Sequence, residues 1–119
     1  NPWTGLDCSG FVVWIYQVFG LLPSGDWTAQ GLVEWFEHRG CKRSQQPVAA
    51  DLIFYGAPGG KLSHVMLALG GGLVVGASGG GRETTTFEEA RRRGAMVKVK
   101  PIGYRSDLQF VLHVPMAGE

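Results

Sequence analysis

Cysteine is scarce in this 119-residue chain, which contains only Cys8 and Cys41. Two cysteines are too few for the framework of a small disulfide-rich domain, and no CxxC pair or zinc-type Cys/His spacing is present. The sequence therefore predicts no metal site and no other cofactor. A Cys8–Cys41 bridge stays open but is disfavoured, because Cys8 opens a predicted helix whereas Cys41 follows Gly40, which ends one.

An excess of charge of one sign is also lacking. The formal net charge is +1 and 18% of the residues are charged, so no broad field would attract nucleic acid. The basic cluster from Arg91 to Arg93 follows Glu88 and Glu89 and is interpreted as the solvated end of a short helix. No apolar run reaches the ~18 residues of a membrane span, and no signal peptide is recognisable. The chain starts at Asn1 rather than at methionine, as a processed or excised chain would.

Apolar periodicity and turn residues predict helices first and strands afterwards. A single domain over residues 1–119 is expected from the length, and neither repeats nor low-complexity tracts interrupt it. Helices are predicted from Ser9 to Phe19 and from about Thr28 to Arg39, and a short capped helix begins at Thr86. Strands are predicted at 52–55, 64–69, 73–75, 97–100 and 110–114, with a hairpin around the glycines at 70–72. This order is typical of the α+β class, with N-terminal helices packed on a small antiparallel sheet.

Cys8 stands where the first predicted helix begins, between Asp7 and Ser9 and directly ahead of the apolar run. The first N–H groups of a helix are unpaired and carry partial positive charge, so they lower the pKa of a thiol and bind an oxyanion. His64, the first residue of a predicted strand, can face a helix that packs on the sheet and serve as the base. On spacing alone, a core cysteine and a hydrogen-bonded surface histidine are the commoner explanations.

Three blocks in a fixed order carry a resemblance to a known family: "DCSGFV" from Asp7, "DLIFYG" from Asp51 and "SHVMLALGGG" from Ser63. From Leu6 to about Ser78 the chain resembles the NlpC-type cysteine peptidases, papain-like hydrolases that cut peptidoglycan stem peptides. The tail "VKVKPIGYRSDL" is similar to short members of that family encoded by phages and prophages. The resemblance implies a papain-like fold. The family's first helix and its aromatic substrate-binding residue would precede Asn1, so they are either missing or lie outside the given sequence.

The resemblance also implies roles for individual residues. Cys8 would be the nucleophile and His64 the general base, and the backbone N–H of Cys8 would contribute to the oxyanion hole. Asp7 and Ser9 match the positions that flank the nucleophile and hold the free amino end of the substrate.

One aspartate and two histidines are interpreted as structural. Asp51 matches the family's turn aspartate, although Ala50 stands where the family has glycine. His38 falls in the last turn of a predicted helix, where a cation is favoured. His113 lies close to the C-terminus and has no partner that the sequence identifies.

The family's third catalytic residue, a polar group that orients the base, is missing at its matching position, which is Gly76. A turn at residues 69–71 would place Gly76 opposite His64, whereas a turn at residues 70–72 would place Ser78 there. Both pairings leave Ser78 on the same face as His64. Ser78, a backbone carbonyl or a water molecule would then orient the imidazole.

The resemblance predicts a hydrolase that cleaves an amide bond in peptidoglycan stem peptides, between γ-D-glutamate and a diamino acid, through a Cys–His acyl-enzyme. Two alternatives stay open on the same scaffold: a catalytically degenerate cell-wall-binding or virion component, and a Cys–His amidase or acyltransferase. The stem peptide is the expected partner, and the expected location is the bacterial cell envelope, the periplasm or a phage particle. The oligomeric state is not predicted.

Overall fold

Two helices precede a six-stranded sheet in the computed structural model, which describes residues 8–78 and 96–115 of the chain. The elements are α1 (Cys8–Val18), α2 (Ala29–His38), β1 (Lys42–Ser44), β2 (Leu52–Gly56), β3 (Leu62–Gly70), β4 (Leu73–Ser78), β5 (Met96–Pro101), a 3₁₀ turn η1 (Ile102–Tyr104) and β6 (Leu108–His113). The predicted order of helices and strands is confirmed. The short helix predicted at Thr86 lies outside the described residues.

The strands form one antiparallel sheet in the order β1-β6-β2-β3-β4-β5. The last described strand, β6, lies between β1 and β2. The pair β2–β3 therefore occupies the centre of the sheet. The sequence did not predict β1 or η1. A three-residue strand of sequence Lys-Arg-Ser carries no apolar alternation, and it forms because β6 offers it a partner.

Buried side chains form two clusters, one on each face of the sheet. Along β2, Leu52 and Phe54 point to the face covered by the helices, whereas Ile53 and Tyr55 point to the other face. All five residues of β2 are buried. A strand covered on both faces has a continuous apolar sequence, which explains why "LIFY" shows no alternation.

Helix α1 is apolar on every side, and its buried residues Val12, Val13 and Tyr16 face the sheet. The Tyr16 ring meets Phe36 of α2 edge-on, with 5.5 Å between the ring centroids. The Tyr16 hydroxyl donates a hydrogen bond to the backbone carbonyl of Ala50. Burial, with a further contribution from nearby Asp51, raises the pKa of Tyr16, so this hydroxyl keeps its proton and remains a donor. The bond fixes α1 relative to the start of β2.

Helix α2 has the ends that its sequence predicts. The Thr28 side chain accepts a hydrogen bond of 3.0 Å from the Gly31 N–H and thereby caps the first turn. Gly40, at φ +89°, follows the last turn and donates its N–H to the Glu37 carbonyl at 3.1 Å. His38 lies in the last turn, as predicted.

The hairpin between β3 and β4 is confirmed, with a two-residue turn at Gly71 and Gly72. Their φ values of +64° and +79° are those of a primed turn, which favours glycine at both positions. Gly70 pairs with Leu73, and one extra residue on β3, Leu69, makes a bulge before the regular register begins.

Asp51 is fully buried at the start of β2, and both of its carboxylate oxygens have partners. Oδ1 lies 2.7 Å from Nδ1 of His113, and Oδ2 accepts the Val48 N–H at 3.0 Å. The structure therefore supplies the partner of His113 that the sequence did not identify. It also places Asp51 in a turn, as expected.

Ala50 has a positive φ of +77°, the conformation in which an L-residue with a Cβ is strained. This is the position at which the resembling family has glycine. Two hydrogen bonds hold the alanine in this conformation. Its N–H donates to the Ala68 carbonyl at 2.8 Å, and its own carbonyl accepts the Tyr16 hydroxyl.

We therefore expect Ala50→Gly to stabilise the protein. Relief of the left-handed strain outweighs the added flexibility of the unfolded chain, and the free energy of unfolding should rise by about 0.5–1 kcal/mol. Urea denaturation followed by tryptophan fluorescence measures this. Ala49→Gly is the matched control: Ala49 is exposed and has no positive φ, so the same change should lower stability. Equal effects at both positions would contradict the strain argument.

Candidate active site

Cys8, the first residue that the structure describes, lies on α1, whose predicted range was Ser9 to Phe19. The helix packs against β3 and β4. Cys8 and Ser9 are placed by their backbone alone, and Asp7 lies outside the described residues. A helix start at Cys8, as predicted, would supply unpaired N–H groups for a thiolate or an oxyanion.

His64 is the third residue of β3, which begins two residues earlier than predicted, and it pairs with Tyr55 of β2. Its half-buried ring lies on the face of the sheet that carries the second buried cluster. The ring centroid lies 5.6 Å from that of Tyr55. Nε2 lies 2.7 Å from the hydroxyl oxygen of Tyr104, which belongs to η1. The candidate base is thus held by a residue that is 40 positions away in the sequence.

A group of polar side chains extends from His64 along the segment after η1. Arg105 makes a bidentate ion pair with Asp107, with Nε–Oδ1 2.9 Å and Nη2–Oδ2 2.7 Å. The guanidinium carbon also lies 5.5 Å from the ring centroid of Tyr55. We call these five residues, Tyr55, His64, Tyr104, Arg105 and Asp107, the tyrosine–histidine cluster.

Charges within the tyrosine–histidine cluster are mutually supported. Hydrogen bonds from Arg105 hold the pKa of Asp107 below its usual value, and His64 contributes to the same shift. The hydrogen bonds of Arg105 to Asp107 raise the pKa of Arg105, and nearby Tyr104 adds to this increase. Burial, together with nearby Tyr104, raises the pKa of Tyr55 to about 12. Asp107 and Arg105 are therefore charged, and Tyr55 is neutral, over the whole physiological range.

Gly76 is buried on β4 against Met66, and the structure shows why this position has no side chain. The pairing of β3 with β4 runs from Gly70 opposite Leu73 to Leu67 opposite Val75. A Cβ built on Gly76 would collide with Sδ of Met66, which is itself almost fully buried. The space that the family's orienting residue would need is filled by Met66.

Ser78 ends β4 and pairs with Met96 of β5. Continuing the register of Leu67 and Val75 by three residues on each strand places Ser78 opposite His64. This is the alternative in which the turn lies within the glycines at 70–72. The role of Ser78 as the orienting residue stays a prediction.

Sequence reasoning missed Tyr104, Tyr55 and the Arg105–Asp107 pair. The run "IGYRSDL" carries no spacing relative to His64 that would reveal contact. Tertiary structure brings these residues to the base.

Cys41 is a free thiol in the described part of the chain, and burial raises its pKa. No group of three or more His, Cys, Asp or Glu side chains placed to hold a metal ion occurs within residues 8–78 and 96–115. In the same residues, neither helix has the length and apolar character required to cross a membrane.

The chain is similar to known proteins in sequence and in structure. The sequence model of the NlpC/P60 family matches residues 1–100. The chain is also similar to the crystal structure of the NlpC/p60 domain of the peptidoglycan hydrolase SagA. The match covers 91% of this chain and 76% of that one, with 31% sequence identity and a TM-score of 0.57. Protein P54 of Enterococcus faecium is 44% identical over 71 residues, which are 58% of this chain and 12% of that protein. The chain thus spans a small part of this curated relative, and the papain-like α+β fold expected from the sequence is confirmed.

The first prediction from the site concerns the two thiols. At pH 7 and limiting iodoacetamide, Cys8 should be alkylated at least about tenfold faster than Cys41, because a helix start favours the thiolate whereas burial raises the pKa of Cys41. Peptide mass analysis at short times measures both rates. Cys41→Ala should keep the fast reaction and Cys8→Ala should lose it. Equal rates, or a Cys8–Cys41 bridge in the unreduced protein, would contradict the assignment.

The second prediction concerns Gly76. Gly76→Ala should lower the free energy of unfolding by about 1–3 kcal/mol, because the added methyl group meets buried Met66. Gly103→Ala is the control, since Gly103 has no positive φ and its added Cβ would meet no atom within 4 Å. If both variants unfold at the same urea concentration, the close packing at Gly76 does not matter for stability.

Proposed function

Because the chain belongs to the NlpC/P60 family, we propose that it is a cysteine peptidase that hydrolyses an amide bond in the stem peptides of bacterial peptidoglycan. The observation that carries the proposal is the match of the family's sequence model to residues 1–100, which include its cysteine on α1 and its histidine on β3. The proposed bond is that between γ-D-glutamate and a diamino acid.

The chemistry follows from these two positions. The thiol proton of Cys8 moves to His64, and the thiolate attacks the carbonyl carbon of the scissile amide. The oxyanion that forms is stabilised by the N–H groups at the start of α1. His64 then gives its proton to the leaving amine as the C–N bond breaks, and the acyl group remains on sulfur. Water hydrolyses this thioester with His64 as the base, which restores the thiol.

Substrate binding is assigned to the two neighbours of the nucleophile. Asp7 supplies a carboxylate and Ser9 a hydroxyl at the positions that hold the free amino end of the stem peptide in the family. A substrate with a protonated amine next to the scissile bond fits this pair. The protein would then act where stem peptides occur, in the cell envelope, the periplasm or the wall crossed by a phage particle.

A degenerate scaffold without turnover is the second candidate, and one observation favours it. Gly76 has no side chain and Met66 fills the space next to it, so β4 offers no orienting group at the family's position. A protein of this kind would bind the cell wall or form part of a virion. An amidase or acyltransferase remains the third possibility, because a Cys–His pair does not select the acceptor.

Incubation with purified muropeptides, followed by mass analysis, separates these functions. The peptidase reading predicts products that differ from the substrate by one added water and one broken γ-D-glutamyl bond. An acyltransferase would give products that carry the acyl group on a new amine. Unchanged substrate with retained binding would favour the degenerate scaffold.

Substitution of the two proposed catalytic residues tests the mechanism. Cys8→Ala and His64→Ala should each reduce turnover to background, and the double variant should be no worse than either single one, because the pair acts as a unit. Cys41→Ala and His38→Ala are the matched controls, since they remove a thiol and an imidazole elsewhere in the fold. Full activity in His64→Ala would place the base on another residue.

A further inference from the structure

One contact of the His64 ring joins its Nε2 atom to the hydroxyl of Tyr104. Nε2 lies 2.7 Å from the Tyr104 hydroxyl, a normal length for a bond between these atoms. The two ring centroids are 6.4 Å apart, so the contact is made by the polar tips and not by stacking. A neutral imidazole has one N–H and one lone pair, and the partner of one nitrogen decides where the proton lies.

The Tyr104 oxygen is surrounded by donors. Arg105, which has only N–H donors, forms a hydrogen bond with Tyr104, and the guanidinium is itself fixed by its two bonds to Asp107. A phenolic oxygen has two lone pairs. It can therefore accept from Arg105 and from the Nε2–H of His64 together.

The segment that carries Tyr104 is tied to the sheet on both sides. The Ile102 N–H donates to the Gly72 carbonyl at 2.8 Å, and the Tyr55 hydroxyl donates to the Ile102 carbonyl at 2.9 Å. On the far side, the Gly56 N–H donates to the Asp107 carbonyl at 2.9 Å. These bonds join η1 to β2 and to the β3–β4 turn, so the hydroxyl of Tyr104 has a fixed position relative to β3.

The Tyr55 ring limits the movement of both partners. Its centroid lies 5.6 Å from His64 and 5.8 Å from Tyr104, and its hydroxyl is already bonded to Ile102. Tyr55 is fully buried and cannot move aside without disturbing the second buried cluster. The imidazole and the phenol are therefore held against one rigid ring.

We propose that Tyr104 is the positioning residue of the catalytic base: its oxygen accepts the Nε2–H of His64 and thereby leaves the lone pair on Nδ1. This inference rests on the proposed function. The group that orients the base would then come from η1, because the matching position on β4 is Gly76 and has no side chain. The Nδ1 lone pair takes the thiol proton as the sulfur–carbon bond forms. The same proton passes from Nδ1 to the leaving amine as the C–N bond breaks. The Nε2–H bond to Tyr104 is kept throughout.

Tyr104→Phe tests the proposal, because it keeps the ring against Tyr55 and removes only the oxygen. Turnover of muropeptides should fall by roughly one to three orders of magnitude, less than the ~10⁴-fold cost of removing the carboxylate that orients the histidine in a serine protease triad. KM should stay nearly unchanged, since the residue acts through His64 and not on the substrate. Ser44→Ala is the control: it removes a hydroxyl on β1 that bonds locally to the backbone of Gln46.

A second measurement does not depend on turnover. In ¹⁵N-labelled Cys8→Ala protein at a pH where His64 is neutral, long-range ¹H–¹⁵N spectra should show His64 with its proton on Nε2. Adding Tyr104→Phe should shift His64 towards a mixture of tautomers, whereas adding Ser44→Ala should leave it unchanged. An unchanged tautomer in the Tyr104→Phe protein would overturn the proposal.

The kinetic pattern separates positioning from substrate contact. A rise in KM with unchanged kcat and an unchanged tautomer would show that Tyr104 contacts the substrate, and this too would overturn the proposal. If the wild-type protein has no turnover, the proposed function fails on its own. The tautomer measurement then decides alone whether Tyr104 holds the His64 ring.

Discussion

The buried carboxylate of Asp51 is the constraint on which the rest of the structure depends. A buried carboxylate is tolerated only when its oxygens are paired, and here one oxygen meets His113 at the end of β6 while the other accepts the Val48 N–H. The neighbouring residue, Ala50, has a positive φ, and its carbonyl accepts the hydroxyl of Tyr16 on α1. One polar centre thus joins the last strand, the turn before β2 and the helix that begins at the candidate nucleophile.

The two faces of the sheet have different tasks. One face packs against α1 and α2 and holds the helix start next to the sheet. The other face carries the second buried cluster and, at its edge, the tyrosine–histidine cluster around His64. Because β2 and β3 are covered on both sides, the position of His64 is fixed by core packing from two directions. The His64 ring itself is half-buried and lies beside the second buried cluster rather than within it.

The close packing of Gly76 against Met66 leaves the orientation of His64 to a contact elsewhere, which Tyr104 supplies. The family places an orienting side chain on β4, but here Gly76 lies against Met66 and has no room for one. The chain instead brings η1 over the end of β3, where the Tyr104 hydroxyl reaches Nε2 of the imidazole. A phenolic oxygen has lone pairs and can accept the N–H of an imidazole, as the oxygen of a carboxamide would. The same chemical requirement is met from a different strand connection.

The sequence by itself determined the helix that starts at Cys8, the capped α2, the glycine hairpin and the strand of His64, because each follows from local turn chemistry and apolar patterning. It also determined the α+β class and the family, through three short blocks in a fixed order. The β3–β4 register was left between two choices, since either glycine turn is locally acceptable. Only tertiary structure selected the turn, paired Asp51 with His113 and brought Tyr104 to His64. Those contacts join residues far apart in the chain, and no local propensity records them.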